Sequence, residues 1–320
     1  MQLSIIVTVH NTTDYIVQAL DSITKQESYN TNDIEVIIVD DKSTDNTLNI
    51  IKELPNWNEF VIIENKKSLG PGQCRNIGIS YAKGEYIAYL DGDDYISSNY
   101  LSVIVPYLRL AKYDVFVFDY SRFYDNDGLV YYTSSVDKDI DKQYTAAWNK
   151  VVKSDVARQA VFLSDNIKWE DVYYTVVLNQ NINSIKLISE PLYFYRRRAG
   201  SLSNNVEDIR GHGDISIIFD KLTYLYTLEY LAANKQIRKL LNKQLYTHLA
   251  LIIMNNEGEL DDNSLRILDN IVEKFWKLNK KNIPFFGVGF LRWLKNMLII
   301  LLVTSGFRKV VKRILLMFNN

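Results

Sequence analysis

The chain has 320 residues, of which 47% are hydrophobic, and its formal net charge is −1 at pH 7. This length suffices to bury the core of one large domain or two modest ones, and the near-neutral charge, with no nucleic-acid-binding motif, argues against a nucleic-acid partner. The single cysteine, Cys74, excludes an internal disulfide, and three histidines are too few for a zinc cluster of the usual spacing.

Apolar, β-branched runs alternate with amphipathic segments over the first 95 residues. Strands are predicted at 3–9, 34–39, 60–64 and 85–90. Helices are predicted between them, at 14–23, 46–54 and 73–82. This alternation predicts an α/β fold with a mostly parallel sheet, whose ligands bind beyond the carboxyl ends of the strands. No G-x-G-x-x-G follows the first strand and no P-loop motif occurs, which argues against a dinucleotide-binding site and a P-loop NTPase.

The fourth predicted strand runs directly into Asp91-Gly92-Asp93-Asp94. Three carboxylates within four residues repel one another, and a divalent cation with oxygen ligands would neutralise them. Mg²⁺ usually reaches a protein through one or two carboxylates together with substrate phosphates. The alternative is an acidic, solvated turn, because Asp and Gly are ordinary turn residues.

The middle of the chain continues the mixed pattern. A helix is predicted at 100–110, a strand at 114–120 and a hairpin turn at 125–128. A helix at 154–162 is followed by Trp169-Glu170-Asp171, which opens a helix that runs to about residue 179. Short strands are predicted at 184–187 and 192–195, and they lead into a basic loop at 196–201.

The character of the sequence changes after about residue 208, where helices are predicted at 215–233, 236–255 and 264–278. We therefore expect a catalytic domain at 1–207 and a helical region at 208–320. The last stretch, 283–320, has no acidic residue and interleaves basic with apolar side chains. Its longest uncharged run is shorter than the roughly 20 residues of a spanning helix, so it is predicted to lie on an anionic membrane surface. The alternative is packing on the body of the protein or on another subunit.

Three pairs of carboxylates stand at separate element ends: Asp40-Asp41, Asp91 with Asp93, and Glu170-Asp171. Brought together, one group could recognise a base, one could hold a metal on a diphosphate, and one could act as a general base. This is the chemical inventory for transferring a group from a nucleotide diphosphate.

The sequence resembles the GT-A-fold glycosyltransferases of family 2 in five motifs that occur in order. These are SIIVTVHN at 4–11, VIIVDDKSTDNT at 36–47, GPGQCRNIG at 70–78, YLDGDD at 89–94 and WEDV at 169–172. The segment YFYRRRAGS at 193–201 resembles the basic segment that follows the catalytic region in many members. The resemblance implies a GT-A fold, which is a Rossmann-like, mostly parallel sheet flanked by helices, with a C-terminal helical extension in this chain.

By this resemblance, a nucleotide-sugar donor is expected to contact Thr8, Val9, Asn11, Asp41, Arg75, Asp91, Arg196 and Ser201. Asp41 would hydrogen-bond the uracil imide, whereas Arg75 and Arg196 would face the donor sugar or the diphosphate. Asp93, together with Asp91, would hold Mn²⁺ or Mg²⁺. Asp171 would deprotonate the acceptor hydroxyl, and Glu170 would place the acceptor.

Each assignment has a structural alternative. Asp41 and Ser43 could cap a helix, because Asp and Ser are common N-cap residues. Arg75 could be a surface residue of its helix. Glu170 and Asp171 could be first-turn acids that the helix dipole favours.

The expected activity is inverting, metal-dependent transfer of one sugar from a UDP-sugar to a lipid-linked saccharide or another cell-envelope glycan. The start of the chain lacks a signal peptide, so we expect a cytoplasmic protein that is peripheral on the inner face of the membrane. Many members have Pro-x-Tyr-Asn where this chain has Thr8-Val9-His10-Asn11, and the processive Gln-x-x-Arg-Trp motif does not occur. A nucleotidyltransferase and a non-catalytic, nucleotide-binding membrane adaptor are the alternatives. The donor sugar, the linkage and the oligomeric state stay open.

Overall fold

The computed structural model of the protein describes residues 1–27, 29–124, 130–133, 136–137, 139–140, 142–163, 167–197, 209–254 and 262–279. Contacts between residues divide the chain into two compact units, Met1–Asn204 and Asn205–Asn320.

The N-terminal unit is built on one sheet, to which the described residues contribute nine strands. The strands are β1 (Leu3–Val9), β2 (Ile34–Asp40), β3 (Val61–Glu64), β4 (Tyr86–Asp91), β5 (Tyr95–Ile96), β6 (Val115–Tyr124), β7 (Val130–Thr133), β8 (Lys150–Lys153) and β9 (Ile185–Arg197). They follow the order β3-β2-β1-β4-β8-β6-β9-β5, and β7 pairs with β6. Pairing is parallel from β3 through β4 and between β6 and β9, whereas β8 lies antiparallel between β4 and β6. The carboxyl ends of β1, β2, β4 and β6 therefore lie at one edge.

Helices flank this sheet, and the α/β prediction is confirmed. They are α1 (Ile16–Thr24), α2 (Thr47–Glu53), α3 (Pro71–Tyr81), α4 (Tyr100–Arg109), α5 (Ser154–Gln159) and α6 (Glu170–Gln180), with a short 3-10 helix at Trp57–Glu59. The helical period explains the packing of α1, which buries Ile16, Ala19, Leu20 and Ile23. Pro71 occupies the first turn of α3, where its missing N–H has no helical partner to lose.

Two strand predictions differ from the structure. No strand is predicted where β8 lies, because its short apolar run does not by itself indicate a central strand. The two short strands predicted at 184–195 form the single strand β9. The pairing register between β9 and β6 shifts on both sides of Asp119, which lies opposite Pro191. This bulge allows β9 to continue past the proline.

The C-terminal unit is helical in its described part, with α7 (Ile209–Leu225), α8 (Leu228–Ala233), α9 (Lys235–Met254) and α10 (Asp262–Asn279). The helix predicted at 215–233 is divided in two, because the Thr227 side chain accepts a hydrogen bond from the Tyr230 amide and caps α8. Among the described helices, none combines the length and apolar character needed to cross a membrane. The basic stretch at 283–320 lies outside the described residues.

Candidate active site

The carboxyl ends of β1 and β4 meet around Gly92. The Thr8 hydroxyl donates to the Asp91 carboxylate over 3.1 Å, and the Gly92 amide donates to the Thr8 carbonyl over 2.9 Å. A Cβ atom at Gly92 would lie 2.7 Å from Val9 Cγ1, so only glycine permits this approach. Val9 is 1% exposed and lies next to Gly92 beneath this turn, and its contact with the donor stays a prediction.

Arg75 on α3 brings the carboxylates of β4 and α6 into one cluster. One guanidinium nitrogen lies 2.8 Å from Glu170 and 3.5 Å from Asp171, and the other lies 2.9 Å from Asp91. The Arg75 side chain is 3% exposed and lies over the Phe162 ring. Burial opposes its protonation, but Asp91, Asp171 and Glu170 raise the pKa of Arg75 well above its usual value. Arg75 is therefore not a surface residue, and its charge neutralises the cluster. Its contact with the donor stays a prediction.

Glu170 and Asp171 form the first turn of α6, where the helix dipole favours acidic side chains. The chain enters this helix through Trp169 in the left-handed region, at φ 67°, which is unusual for a bulky residue. Burial raises the pKa of Glu170, with a further contribution from Asp171, and Arg75 opposes the rise. Burial also raises the pKa of Asp171, and it does so against Arg75, Lys150 and a hydrogen bond from the Ala147 amide.

The Asp171 side chain is partly accessible, as a proton acceptor must be. It is 21% exposed, although its Oδ1 is itself buried and faces Arg75 at 3.5 Å. A partly exposed carboxylate with a raised pKa can act as a general base. The first-turn preference for acids accounts for the position of Asp171 but not for the ion-pair cluster around it.

Asp41 is bonded to the loop that precedes α3. Its carboxylate accepts hydrogen bonds from the amides of Leu69 and Gly70 over 2.7 and 2.9 Å, and from the side chains of Asn65 and Ser68 over 3.1 and 2.8 Å. Burial opposes ionisation, but these bonds lower the pKa of Asp41. Four donors bond its two oxygens, so the carboxylate anchors the loop before α3. It does not cap α2, whose first amide bonds Asp45. The contact of Asp41 with a uracil imide stays a prediction.

Arg196 is buried behind the turn at 91–94, and its contact with the donor stays a prediction. It is 7% exposed and lies between the rings of Tyr15 and Phe123, each 4.5 Å from the guanidinium carbon. Its Nε donates to the Asp93 carbonyl over 2.6 Å, and its other end donates to Gln18. Cation–π contacts and hydrogen bonds thus commit this side chain to holding the turn at 91–94 in place.

Asp94 is buried beneath the same turn, although it belongs to the acidic cluster in the sequence. Its carboxylate accepts hydrogen bonds from the Tyr193 hydroxyl and the Arg196 amide, each over 2.7 Å. Burial, with Asp93 and Asp91 nearby, raises the pKa of Asp94 well above its usual value. Asp94 is therefore a structural residue of the turn.

The remaining predicted residues lie at the rim or outside the described chain. Asn11 is exposed and links the loops after β1 and β2, because its side-chain oxygen accepts from the Thr44 amide over 2.8 Å. Ser201 lies outside the described residues. Asp93 is half-buried on the turn beside Asp91, whose side chain is 25% exposed.

The Asp91 and Asp93 carboxylates suit a hard divalent cation. Among the described residues, no group of three or more His, Cys, Asp or Glu side chains converges into a metal cage. A Mg²⁺ ion does not require one, because it usually binds through one or two carboxylates and takes its other ligands from water and substrate phosphates. The partly exposed pair at the strand end fits that kind of site.

The geometry can be compared with known proteins at this point. Residues 4–167 match the protein family described as Glycosyl transferase family 2, which covers half of the chain. The chain belongs to this family. It is a glycosyltransferase, and the family predicted from the five motifs is confirmed.

Three relatives illustrate the match. The glycosyltransferase GlyG of Streptococcus pneumoniae serotype 4 is 28% identical over 68% of this chain and 78% of its own length. The UDP-Glc:alpha-D-GlcNAc-diphosphoundecaprenol beta-1,3-glucosyltransferase WfaP of Escherichia coli is 37% identical over 38% of this chain and 45% of its own length. The poly(ribitol-phosphate) beta-N-acetylglucosaminyltransferase TarS of Staphylococcus aureus is 28% identical over 61% of this chain, but the match spans 35% of TarS.

A solved structure supports the fold of this family 2 glycosyltransferase. Residues 1–349 of S. aureus TarS, crystallised with UDP-GlcNAc, superpose with a TM-score of 0.68 at 21% identity, over 87% of this chain and 81% of that one. The predicted GT-A fold is confirmed by this match.

Several residues of the site were not predicted from the sequence. Lys150 lies beside the cluster, and Tyr193 supports Asp91 and Asp94. A lysine in the apolar run of residues 146–152 is a signal that could have identified Lys150, because lysine is rarely buried without a reason. The Tyr193 contacts have no comparable signal, since they depend on how β9 meets β4.

Proposed function

We propose that this glycosyltransferase moves one sugar from a UDP-sugar to a hydroxyl of a lipid-linked saccharide or another cell-envelope glycan, with inversion at the anomeric carbon. The observation that carries the proposal is the cluster in which Arg75 joins Asp91, Glu170 and Asp171 at the strand ends. TarS is crystallised with UDP-GlcNAc, and the names of TarS and WfaP give a poly(ribitol-phosphate) and a lipid-diphosphate sugar as acceptors.

In the proposed reaction, Asp171 accepts the proton of the acceptor hydroxyl. The hydroxyl oxygen forms a bond to the anomeric carbon while the bond from that carbon to the diphosphate oxygen breaks, and UDP leaves with the electron pair. Attack from the face opposite the diphosphate inverts the configuration. Glu170 pairs with Arg75, so the guanidinium charge is shared between Glu170 and Asp171 and does not fully neutralise the base. Glu170 also places the acceptor.

Asp91 and Asp93 would hold Mn²⁺ or Mg²⁺ on the donor. When bound, the cation stabilises the charge that develops on the leaving diphosphate. Thr8 supports this role, because its hydroxyl bonds one Asp91 oxygen and so orients the carboxylate.

The basic stretch at 283–320 supports a peripheral position on an anionic membrane at the cytoplasmic face, where lipid-linked acceptors would be presented. Removing this stretch should abolish sedimentation of the protein with anionic vesicles. Sedimentation that does not change after the deletion would remove the membrane part of the proposal.

The reaction class is tested with a panel of UDP- and GDP-sugars, with Mn²⁺ and with lipid-linked and polyol-phosphate acceptors. We expect nucleotide diphosphate release from a UDP-sugar, lost on addition of EDTA, and a product of inverted anomeric configuration by NMR. Release only from GDP-sugars, retention of configuration, or full activity in EDTA would each contradict the corresponding part of the proposal.

A further inference from the structure

Lys150, on β8, is a buried ammonium bonded only to neutral partners. It is 1% exposed, and its Nζ donates to the carbonyls of Tyr144 and Ala146 and to the Asn149 side chain over 2.9, 2.7 and 2.8 Å. These three bonds use all three of its hydrogens. Its three hydrogen-bond partners are neutral, although burying a charge without an ion-pair partner is costly.

All three partners of Lys150 belong to one segment, residues 144–149, called here the 144–149 loop. This loop contacts α6 through the Thr145 carbonyl, which accepts from the Thr175 hydroxyl over 2.8 Å, one turn after Asp171. The Ala147 amide of the same loop lowers the pKa of Asp171, so it favours the ionised carboxylate. On its other side, the Asn149 carbonyl accepts from the Phe118 amide of β6 over 3.1 Å. The loop therefore connects the ammonium of Lys150 to the start of α6, the helix that carries Asp171.

We propose that Lys150 is a positioning residue for Asp171, which it holds in place through the 144–149 loop. This inference rests on the proposed role of Asp171 as the base. With its proton, Lys150 bonds three oxygens of the loop and so holds the Thr145 carbonyl against Thr175 on α6. When Lys150 is neutral, its amine has two hydrogens for three acceptor oxygens. One hydrogen bond is then lost, and the nitrogen lone pair faces the third oxygen.

The electrostatics of the cluster agree with this role. Arg75 forms ion pairs with three carboxylates. Lys150 adds a second positive charge, which favours ionisation of Asp171. Burial lowers the pKa of Lys150 to about 7, and Asp171 opposes this shift. The groups that act on Asp171 are Arg75 from α3, Asp91 and Tyr89 from β4, Lys150 from β8, and Glu170 and Tyr174 from α6.

The test is Lys150→Met in the full chain, assayed with the UDP-sugar and acceptor that support turnover, from about pH 6 to about pH 9. We expect kcat to fall at least about tenfold while the donor KM stays within about threefold, because a misplaced base affects the chemical step. The alkaline limb that Lys150 gives the wild-type kcat profile should disappear. The matched control is Lys153→Met on the same strand, whose Nζ lies 3.5 Å from Asp155 and is exposed; its profile should match wild type.

A Lys150→Met variant with kcat within about twofold of wild type and an unchanged alkaline limb would overturn the inference. Should this variant fail to bind UDP because it does not fold, Thr175→Val decides, since it keeps the charge and removes one anchor of the loop. A several-fold loss of kcat at unchanged donor KM supports the inference, and no loss overturns it. An Asp171→Asn variant that retains turnover would instead remove the proposed base itself, so the two failures are distinguishable.

Discussion

Arg75 holds carboxylates that come from two distant parts of the chain. Its planar guanidinium reaches Asp91 and Glu170 through separate nitrogens and leaves Asp171 at 3.5 Å. A lysine ammonium could not reproduce this arrangement, because it is a point charge without the two-pronged geometry. The longest of the three contacts is to the proposed base, which is the carboxylate that must remain able to accept a proton.

Replacing Arg75 with Met should lower the free energy of unfolding by about 3–5 kcal/mol near neutral pH, since it leaves buried carboxylates without their cation. The loss should shrink towards acidic pH. Because burial raises the pKa values of Glu170 and Asp171, these groups become neutral at a higher pH than ordinary carboxyl groups and then need no counter-charge. Urea unfolding at two pH values measures both effects.

The matched control is Arg109→Met, which removes an exposed contact of 3.6 Å to Asp33 and should cost less than about 1 kcal/mol. Equal decreases in the free energy of unfolding for the two variants would mean that the buried cluster stabilises the fold no more than an exposed ion pair does.

At the scale of elements, the site depends on the close approach of α3 to the start of α6. Gly72 faces Glu170 across this contact, and a Cβ at Gly72 would lie 2.9 Å from Glu170 Cγ and 3.1 Å from the Leu163 carbonyl oxygen. The absence of a side chain at this position is what allows Arg75, one turn further along α3, to reach α6.

Gly72→Ala should therefore separate the two helices and lower turnover by about 10- to 100-fold, because small displacements of catalytic groups have large kinetic effects. It should also reduce stability by about 1–3 kcal/mol through overpacking. Ser80→Ala, at an exposed position of the same helix, is the control and should change neither quantity by a measurable amount. Wild-type turnover in Gly72→Ala would show that the helix contact is not needed for the site.

At the scale of the whole molecule, the features that could be predicted from the sequence are those that depend on local residue pattern. The alternation of apolar strands and amphipathic helices predicted the α/β fold and the edge at which the site lies. The partners of Arg75 could not be predicted, because Glu170 is 95 positions away and the contact exists only after folding. The contacts of Asp41 and Arg196 could not be predicted for the same reason. The hydrogen-bond donors around Asp41 and the aromatic rings around Arg196 come together only in the folded chain.

The C-terminal unit contains a buried histidine pair that should make stability depend on pH. The Nδ1 atoms of His212 on α7 and His248 on α9 lie 3.0 Å apart, so one ring must donate and the other accept. Burial, and to a smaller extent His212, lowers the pKa of His248 to about 3. Protonation of both rings would place two donors opposite each other.

Between about pH 3 and the ordinary histidine pKa, the unfolded chain binds a proton at His248 that the folded chain does not, so stability rises with pH across this range. The free energy of unfolding should fall by up to about 3 kcal/mol from pH 6.5 to pH 4 on account of this residue. A His248→Gln variant should have a correspondingly shallower slope in urea unfolding. An identical slope would contradict the buried pair.

Comparing Asp171→Asn with wild type in two assays tests directly whether the Arg75-centred cluster is a catalytic site. In that site Asp171 is the base. UDP binding in the presence of Mn²⁺ is measured by calorimetry, and UDP release is measured with donor and acceptor present. We predict that the variant binds UDP as wild type does and loses turnover by about 10²-fold or more. Turnover within about tenfold of wild type would contradict the claim.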